Sequence, residues 1–403
     1  MTPEFEAKLK KAVEDGDLPN AVLLARDKSG KIDYTFCVGQ TSLEEGAPPI
    51  TPTTLLTMAS LTKLLTTCCL LNLIQHGILD LDEPVTMYLP TLEEQPILTG
   101  FDDAGKPTFK PRAQPMTLRH LLTHTAGTGY LYLDERLMKW AEATGFPLPM
   151  PLRHSPLSGG RSVDSRFGYP LLFEPGEGWV YGSGLDWAGR LIEKMTGSFF
   201  DDFLHENVLR RVGVPHGGIT FHPGRFGTPP VDVLAGMAKR DEATGKVVAM
   251  PEMEYDNDNE AFGGEGCFGG LGEYMKVLYS LLMDDGRILD SEHARLLFEP
   301  LLQPEEKKAL HKALEHPEWA VGPVPEGVDY DWSAGGLMTN SDNHEHRRKG
   351  FLQWSGAWNL YWFIDREAGV CGVFGTQINP PSDPTARAYM KEFEELIYAK
   401  AKN

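Results

Sequence analysis

Hydrophobic and polar positions change rhythm several times along the chain. Residues 4–16 are charged and amphipathic and predict a helix. NAVLLARDKSGKIDYTFCVGQTS follows and predicts a hairpin, with an apolar strand over 21–26, a turn from Asp27 to Gly30 and a returning strand over 32–38. A long apolar stretch then starts at TMASLTKLLTT, residues 57–67, and reads as one buried helix ending near Gly77. Thr66, Thr67, Asn72, Gln75 and His76 interrupt it too often for a bilayer span.

From about residue 100 to 260 the pattern loosens. FDDAGKPTFKPRAQP is rich in Pro and Gly, LRHLLTH reads as a short helix, and 131–180 is irregular and aromatic. Helices are expected over 184–196 and 198–209, and turns dominate 210–266. Beyond 267 the rhythm tightens again. GLGEYMKVLYSLLMDDG predicts a helix closed by Gly286, and LQWSGAWNLYWFID with GVCGVFGTQI alternate like paired strands. ARAYMKEFEELIYAKAK is a terminal amphipathic helix. Strands near both ends with helices between them imply an α/β (α+β) fold. One antiparallel sheet is assembled from residues 1–100 and 261–403, with 101–260 inserted as a mainly helical unit.

Composition narrows the class. The chain has 403 residues, 41% hydrophobic and 24% charged, with no low-complexity tract, as expected of a soluble globular protein. A formal charge of −19 argues against nucleic acid or an anionic membrane as partner. The N-terminal segment lacks the apolar core of a secretory signal. Five unevenly spaced cysteines make neither a disulfide framework nor a CxxC site, so a reducing, cytoplasmic setting is expected.

Chemistry concentrates at the head of the apolar helix. Ser60 and Lys63, three residues apart, would share a helix face about 5–6 Å apart at Cβ, close enough for the amine to reach the hydroxyl. A helix N-terminus there would favour a developing oxyanion. The plain alternative is a serine that opens a helix and a solvated lysine one turn on. Downstream, EGWVYGSGLDWAG puts Tyr181 in a Gly-rich bend before a helix, and LQWSGAWN puts Trp354-Ser355-Gly356 in a strand able to offer a backbone N–H.

Other motifs are weaker. His344 and His346 have a spacing that can bind metal but lack an evident third ligand, and His120 and His124 lack the glutamate of a zincin motif. No metal and no cofactor are expected. FGGEG and FGGLG read as turns flanking a cleft rather than a phosphate loop. Tyr130, Tyr132, Trp140 and Phe146 are core or lid residues, or walls of a hydrophobic substrate pocket.

Taken in order, S-x-x-K, the Tyr181 bend and the W-x-G strand resemble the serine β-lactamase and penicillin-binding-protein superfamily. The esterase branch, the family VIII carboxylesterases, is the nearer likeness. LPNAVLLARDKSGKIDYT, FDDAG, LRHLLTHTAGTGY, WVYGSGLDWAG, CFGGLGEYMKVLYSLL and RRKG further resemble fungal acyltransferases and esterases acting on the short acyl side chain of statin-type polyketides. The resemblance implies a β-lactamase-like fold with the active site between the two units. It implies Ser60 as acylated nucleophile, with Lys63 or Tyr181 as the base. Ser60 and Ala357 would supply oxyanion N–H groups, and Trp354 with Gly356 would border the substrate. Two departures count against a β-lactamase or peptidase: Tyr181-Gly182-Ser183 lacks the usual asparagine, and Trp354 stands where K-T-G has lysine. The expected activity is a serine carboxylesterase acting on a small hydrophobic ester. Transfer to a bulky alcohol is the alternative, with an acyl carrier protein then a candidate partner. A dead binding homologue would have lost Ser60, Lys63 or Tyr181, and none is missing.

Overall fold

A computed structural model describes residues 2–147, 161–224, 234–251 and 260–402. Residues 148–160, in the middle of the irregular aromatic segment, and parts of the turn-rich 210–266 region lie outside the described residues. The centre of the fold is a seven-stranded sheet. Its strands are β1 (Asn20–Asp27), β2 (Asp33–Gly39), β3 (Tyr330–Trp332), β4 (Leu337–Thr339), β5 (Leu352–Gly356), β6 (Leu360–Asp365) and β7 (Val370–Gly375). Spatial order is β3-β4-β5-β6-β7-β1-β2, every pair antiparallel. The two chain ends meet where β1 pairs with β7, in register from Val22 opposite Gly375 to Asp27 opposite Val370. In the β1–β2 turn the Asp27 carboxylate accepts from Ile32 N at 2.7 Å, and Gly30 takes φ +75°.

Both faces of this sheet are covered, which is why its central strands read as near-continuous apolar runs. Alternation along each strand feeds two cores. Val22, Leu24, Leu360, Trp362, Ile364, Cys371 and Val373 face α2 (Thr62–Gln75) and its surroundings. Ala21, Leu23, Tyr361, Phe363, Val370 and Phe374 face helix α1 (Pro3–Glu14) and the C-terminal helix α5 (Pro384–Ala401). Helices α3 (Gly184–Thr196) and α4 (Leu271–Met283) complete the first core.

Three expectations shift. The helix expected to run to Gly286 stops at Met283, because Asp284 takes the left-handed conformation (φ +51°) and its carboxylate meets Arg366 at 3.2 Å. The 198–209 helix is one α-helical turn, Phe200–Leu204, that widens into a π turn over His205–Leu209. The Pro/Gly-rich stretch after Gln95 holds a hairpin, Ile97–Phe101 with Pro107–Lys110. Asp102 closes its turn by accepting from Ala104 N and Lys106 N.

Candidate active site

Ser60 sits in a 3-10 turn, Ala59–Leu61, that leads into α2. Its side chain caps nothing, so the plain reading of a capping serine does not apply. Ala59 takes φ +46°, a left-handed conformation that costs a non-glycine residue about 1–2 kcal/mol. Surrounding contacts hold the turn. Thr62 Oγ1 donates to Ala59 O at 2.6 Å and accepts from Cys267 N at 3.0 Å. Tyr274 OH donates to Leu61 O, and Gln377 Oε1 accepts from Thr57 N. Strand β5 lies against this turn because residue 356 is glycine: a Cβ there would fall 2.5 Å from Met58 O.

Around Ser60 the predicted triad comes together. Lys63 Nζ is 3.1 Å from Ser60 Oγ, Tyr181 OH is 2.7 Å from it, and Trp354 Nε1 donates to Tyr181 OH at 3.0 Å. The lysine, 4% exposed, also lies 4.7 Å from the Tyr181 ring centre and 5.1 Å from that of Tyr130. Tyr181 is held by a bridge between residues 182 and 129, with Ser183 N donating to Thr128 O and Tyr130 N to Tyr181 O. This explains the departure at Gly182, whose Cβ would lie 1.8 Å from Thr128 O. The segment ends in α3, directly after Ser183.

Trp319 stacks on Tyr181 at 5.5 Å, and Trp332 meets Trp354 edge-on at 4.6 Å. Neither tryptophan was singled out in the sequence; each reaches the site through the fold rather than through a local motif. His124, 4.7 Å from the Tyr181 ring, accepts from Gly182 N through Nδ1 at 3.2 Å. Burial, and then the charge of Lys63, hold its imidazole neutral. It supports the Tyr181 loop.

Tyr130 does more than wall a pocket. It is 1% exposed and its hydroxyl lies between Lys63 Nζ, at 3.0 Å, and Asp186 Oδ2, at 3.0 Å. Gly264 closes the arrangement: its carbonyl accepts from Lys63 Nζ at 2.8 Å and its N–H donates to Asp186 Oδ1 at 2.8 Å. Burial first, and then the nearby Glu265, push the Asp186 carboxyl up to about 7, against the pull of Lys63. Sequence reading missed Asp186; the FGGEG glycines do form a turn, over 263–265, beside the cleft. The acid lies in the first turn of a buried helix face, and the approach needs a glycine at 264, where a Cβ would lie 2.3 Å from Asp186 Oδ2; neither contact is local in the sequence.

The remaining candidates fall further out. Tyr132 stacks on Tyr130 at 5.5 Å, while Trp140 and Phe146 pack on each other, 5.0 Å apart, and both against Tyr169. A small cavity is lined by Tyr130, Tyr132, Phe167 and Tyr169 among others. Ala357 follows directly on β5, half-buried. His120 Nδ1 belongs to the cap at Thr117. His346 Nε2 meets Glu394 of α5 at 3.0 Å, while His344 Nδ1 accepts from His346 N and Arg347 N and so closes its own loop. Among the described residues, His205, Glu206 and His216 bring possible metal ligand atoms within 4.8 Å of one another. The two imidazoles there are stacked 3.5 Å apart, so their lone pairs run side by side rather than converge. No helix among the described residues is long and apolar enough to cross a membrane.

This fold, with a serine and a lysine at the head of a buried helix, defines a serine enzyme of the acyl-transferring, ester-cleaving kind. The Beta-lactamase family model matches residues 5–395, and the chain belongs to that family. It is similar to monacolin J acid methylbutanoyltransferase of Aspergillus terreus, 36% identical over 98% of this chain and 95% of the relative. It is also similar to lovastatin esterase of Penicillium rubens, 34% identical over 99% and 98%. The structure resembles simvastatin synthase from Aspergillus terreus, with a TM-score of 0.86 and 35% identity over 98% of each chain. The β-lactamase-like fold and the class of enzyme expected from the sequence are the ones found.

Proposed function

We propose that the protein is a serine carboxylesterase that forms a covalent ester at Ser60. Its substrate is a hydrophobic ester with a short acyl group, of the kind borne by statin-type polyketides. One observation carries this reading: Ser60 Oγ lies within hydrogen-bond reach of both Lys63 Nζ and Tyr181 OH. Ser60 Oγ attacks the ester carbonyl and its proton passes to Lys63 or Tyr181. The tetrahedral oxyanion takes the N–H groups of Ser60 and Ala357, each such donor being worth about 10²–10³ in rate. Collapse expels the alcohol with a proton from Tyr181, and water reverses the sequence to release the acid. Trp354, Trp319 and Trp332 supply an apolar wall beside the reacting carbon. The cleft lies between a unit of residues 1–100 with 261–403, which carries Ser60, Lys63 and Trp354, and an inserted unit, 101–260, which carries Tyr130 and Tyr181.

A second reading is favoured by the similarity to a methylbutanoyltransferase: a bulky alcohol replaces water as acceptor, and an acyl carrier protein becomes a candidate donor. The chemistry at Ser60 is the same and the acceptor decides. Five unpaired cysteines, four of them buried, support a reducing, cytoplasmic setting. Assays with p-nitrophenyl butyrate and with the β-lactam nitrocefin test the class. The ester should turn over with little action on nitrocefin, and Ser60→Ala should lose about 10⁴-fold or more of the ester activity. An alanine variant that keeps its turnover would overturn the proposal.

A further inference from the structure

Five rings surround the Tyr181 phenol: His124, Tyr130, Trp319, Trp332 and Trp354, with ring centres 4.7 to 6.4 Å from its own. Among these described residues four are buried, and only Trp319 is half-buried, so it forms the outer wall. Its plane lies 28° from that of Tyr181, so the indole is stacked on the phenol rather than set edge-on. Trp319 comes from a short turn, Pro317–Trp319, and two hydrogen bonds fix it there. Ala320 N donates to Pro317 O at 2.9 Å. The Trp319 Nε1–H donates at 3.1 Å to Ala313 O, at the end of the helix Pro304–Ala313. Its other neighbours are Trp179 at 5.7 Å and Trp354 at 5.8 Å. The polar groups along this wall are already engaged. The Trp319 N–H serves Ala313, the Trp354 N–H serves Tyr181, and the Tyr181 O–H serves Ser60. An ordered water needs about 2–4 polar partners, and this wall offers it carbon. A hydrophobic alcohol gains by burying its own carbon on the same rings.

We propose that Trp319 is the specificity-determining residue for the acceptor: it holds bulk water away from the Tyr181 side of the acyl-enzyme and offers a bulky, hydrophobic alcohol a surface in its place. This rests on the reading of Ser60 as the acylated nucleophile and deepens it by naming the class of acceptor. Either route balances in the same way. The acceptor oxygen bonds to the acyl carbon, the bond from that carbon to Ser60 Oγ breaks, and the acceptor's proton ends on Oγ. Water gives the free acid, and an alcohol gives a new ester. With no alcohol present, water completes the cycle and the protein is an esterase. With a hydrophobic alcohol present, Trp319 tilts the branch towards the ester. Hydrolysis and transfer are then two outcomes of one site, divided by one side chain.

The branch is read from the products. Each protein turns over p-nitrophenyl butyrate in buffer with a fixed amount of cyclohexanol or, separately, of methanol. Gas chromatography then measures the new ester against butyric acid. Both products leave the same acyl-enzyme, so slower acylation or a smaller folded fraction does not move their ratio. Wild type should form cyclohexyl butyrate. Trp319→Ala should lower the ratio of cyclohexyl butyrate to butyric acid at least about tenfold. The methyl butyrate ratio should change less than about threefold, because methanol and water pass the same gap. Trp319→Leu, which keeps apolar bulk without the flat face, should move the cyclohexanol ratio the same way, and it decides alone if the alanine variant does not fold. An unchanged cyclohexanol ratio, an equal fall with methanol, or a wild type that makes no cyclohexyl butyrate overturns the inference and leaves the Ser60 proposal standing. Products formed by Ser60→Ala above those of buffer alone would instead sink the underlying reading.

Discussion

Asp186 is a charge kept where burial resists it, and that has a consequence for stability. Its folded carboxyl titrates near 7, above the ordinary aspartate value of 3.8. A raised acid pKa means that the folded state favours the protonated form. The cost of ionising it is absent below about pH 4, grows between 4 and 7, and is complete above 7. Asp186→Asn should therefore be more stable than wild type at pH 8, by at most about 4 kcal/mol, with the gap closing towards pH 4. Urea midpoints at the two pH values check this. A gain in stability with a loss of rate would mark strain kept for function. At this scale the sequence was informative only where partners are close along the chain. Ser60 and Lys63 announce themselves by spacing. Tyr130 and Asp186 are 56 residues apart, and Lys63 and Gly264 are 201 apart, so no local pattern links them.

The elements bring these residues together through a few backbone contacts that leave no space for a side chain. At Gly182 a Cβ would lie 1.8 Å from Thr128 O, a backbone atom that cannot step aside. Gly182→Ala should cost about 3 kcal/mol or more and pull Tyr181 from Ser60, lowering kcat at least tenfold. Chemical denaturation and a rate measurement at saturating ester would show both, and an alanine variant of normal rate would contradict the role given to this bridge. The sequence reading at 182 saw a missing asparagine; the structure supplies the physical reason for glycine. Strand pairs such as β6 and β7 were legible because two buried faces leave long apolar runs. The hairpin at 97–110 was not, since its second strand is largely exposed and carries no alternating apolar face. The end of α4 was misplaced because Asp284 already takes a left-handed turn two residues before Gly286, which is left-handed as well.

Over the whole molecule, the sheet depends on both chain ends, and α5 is fastened to it by one buried ion pair. Glu394 meets Arg347 at 2.7 and 2.9 Å and accepts from Tyr361 OH. Burial pushes the Glu394 carboxyl up, but the Arg347 charge and the hydrogen bonds from His346, Arg347 and Tyr361 outweigh it and bring it down to about 2. A lowered acid pKa gives stability that is present above about 4.5 and lost as pH falls towards 2. Glu394→Gln leaves Arg347 unpaired and should cost about 3–5 kcal/mol at pH 7, with the difference shrinking from pH 5 downward in thermal melts. That sheet strands would come from both ends was readable from the sequence, but their order, and the meeting of β1 with β7, were not. The central claim for the molecule is that Ser60 carries the acyl group. Intact-protein mass spectrometry after brief exposure to p-nitrophenyl butyrate, followed by peptide mapping, tests it most directly. The account predicts one added butyryl group on the peptide containing Ser60, absent from Ser60→Ala and decaying with time in buffer or on addition of an acceptor alcohol. A butyryl group mapped to another residue, or turnover with Ser60→Ala, would contradict it.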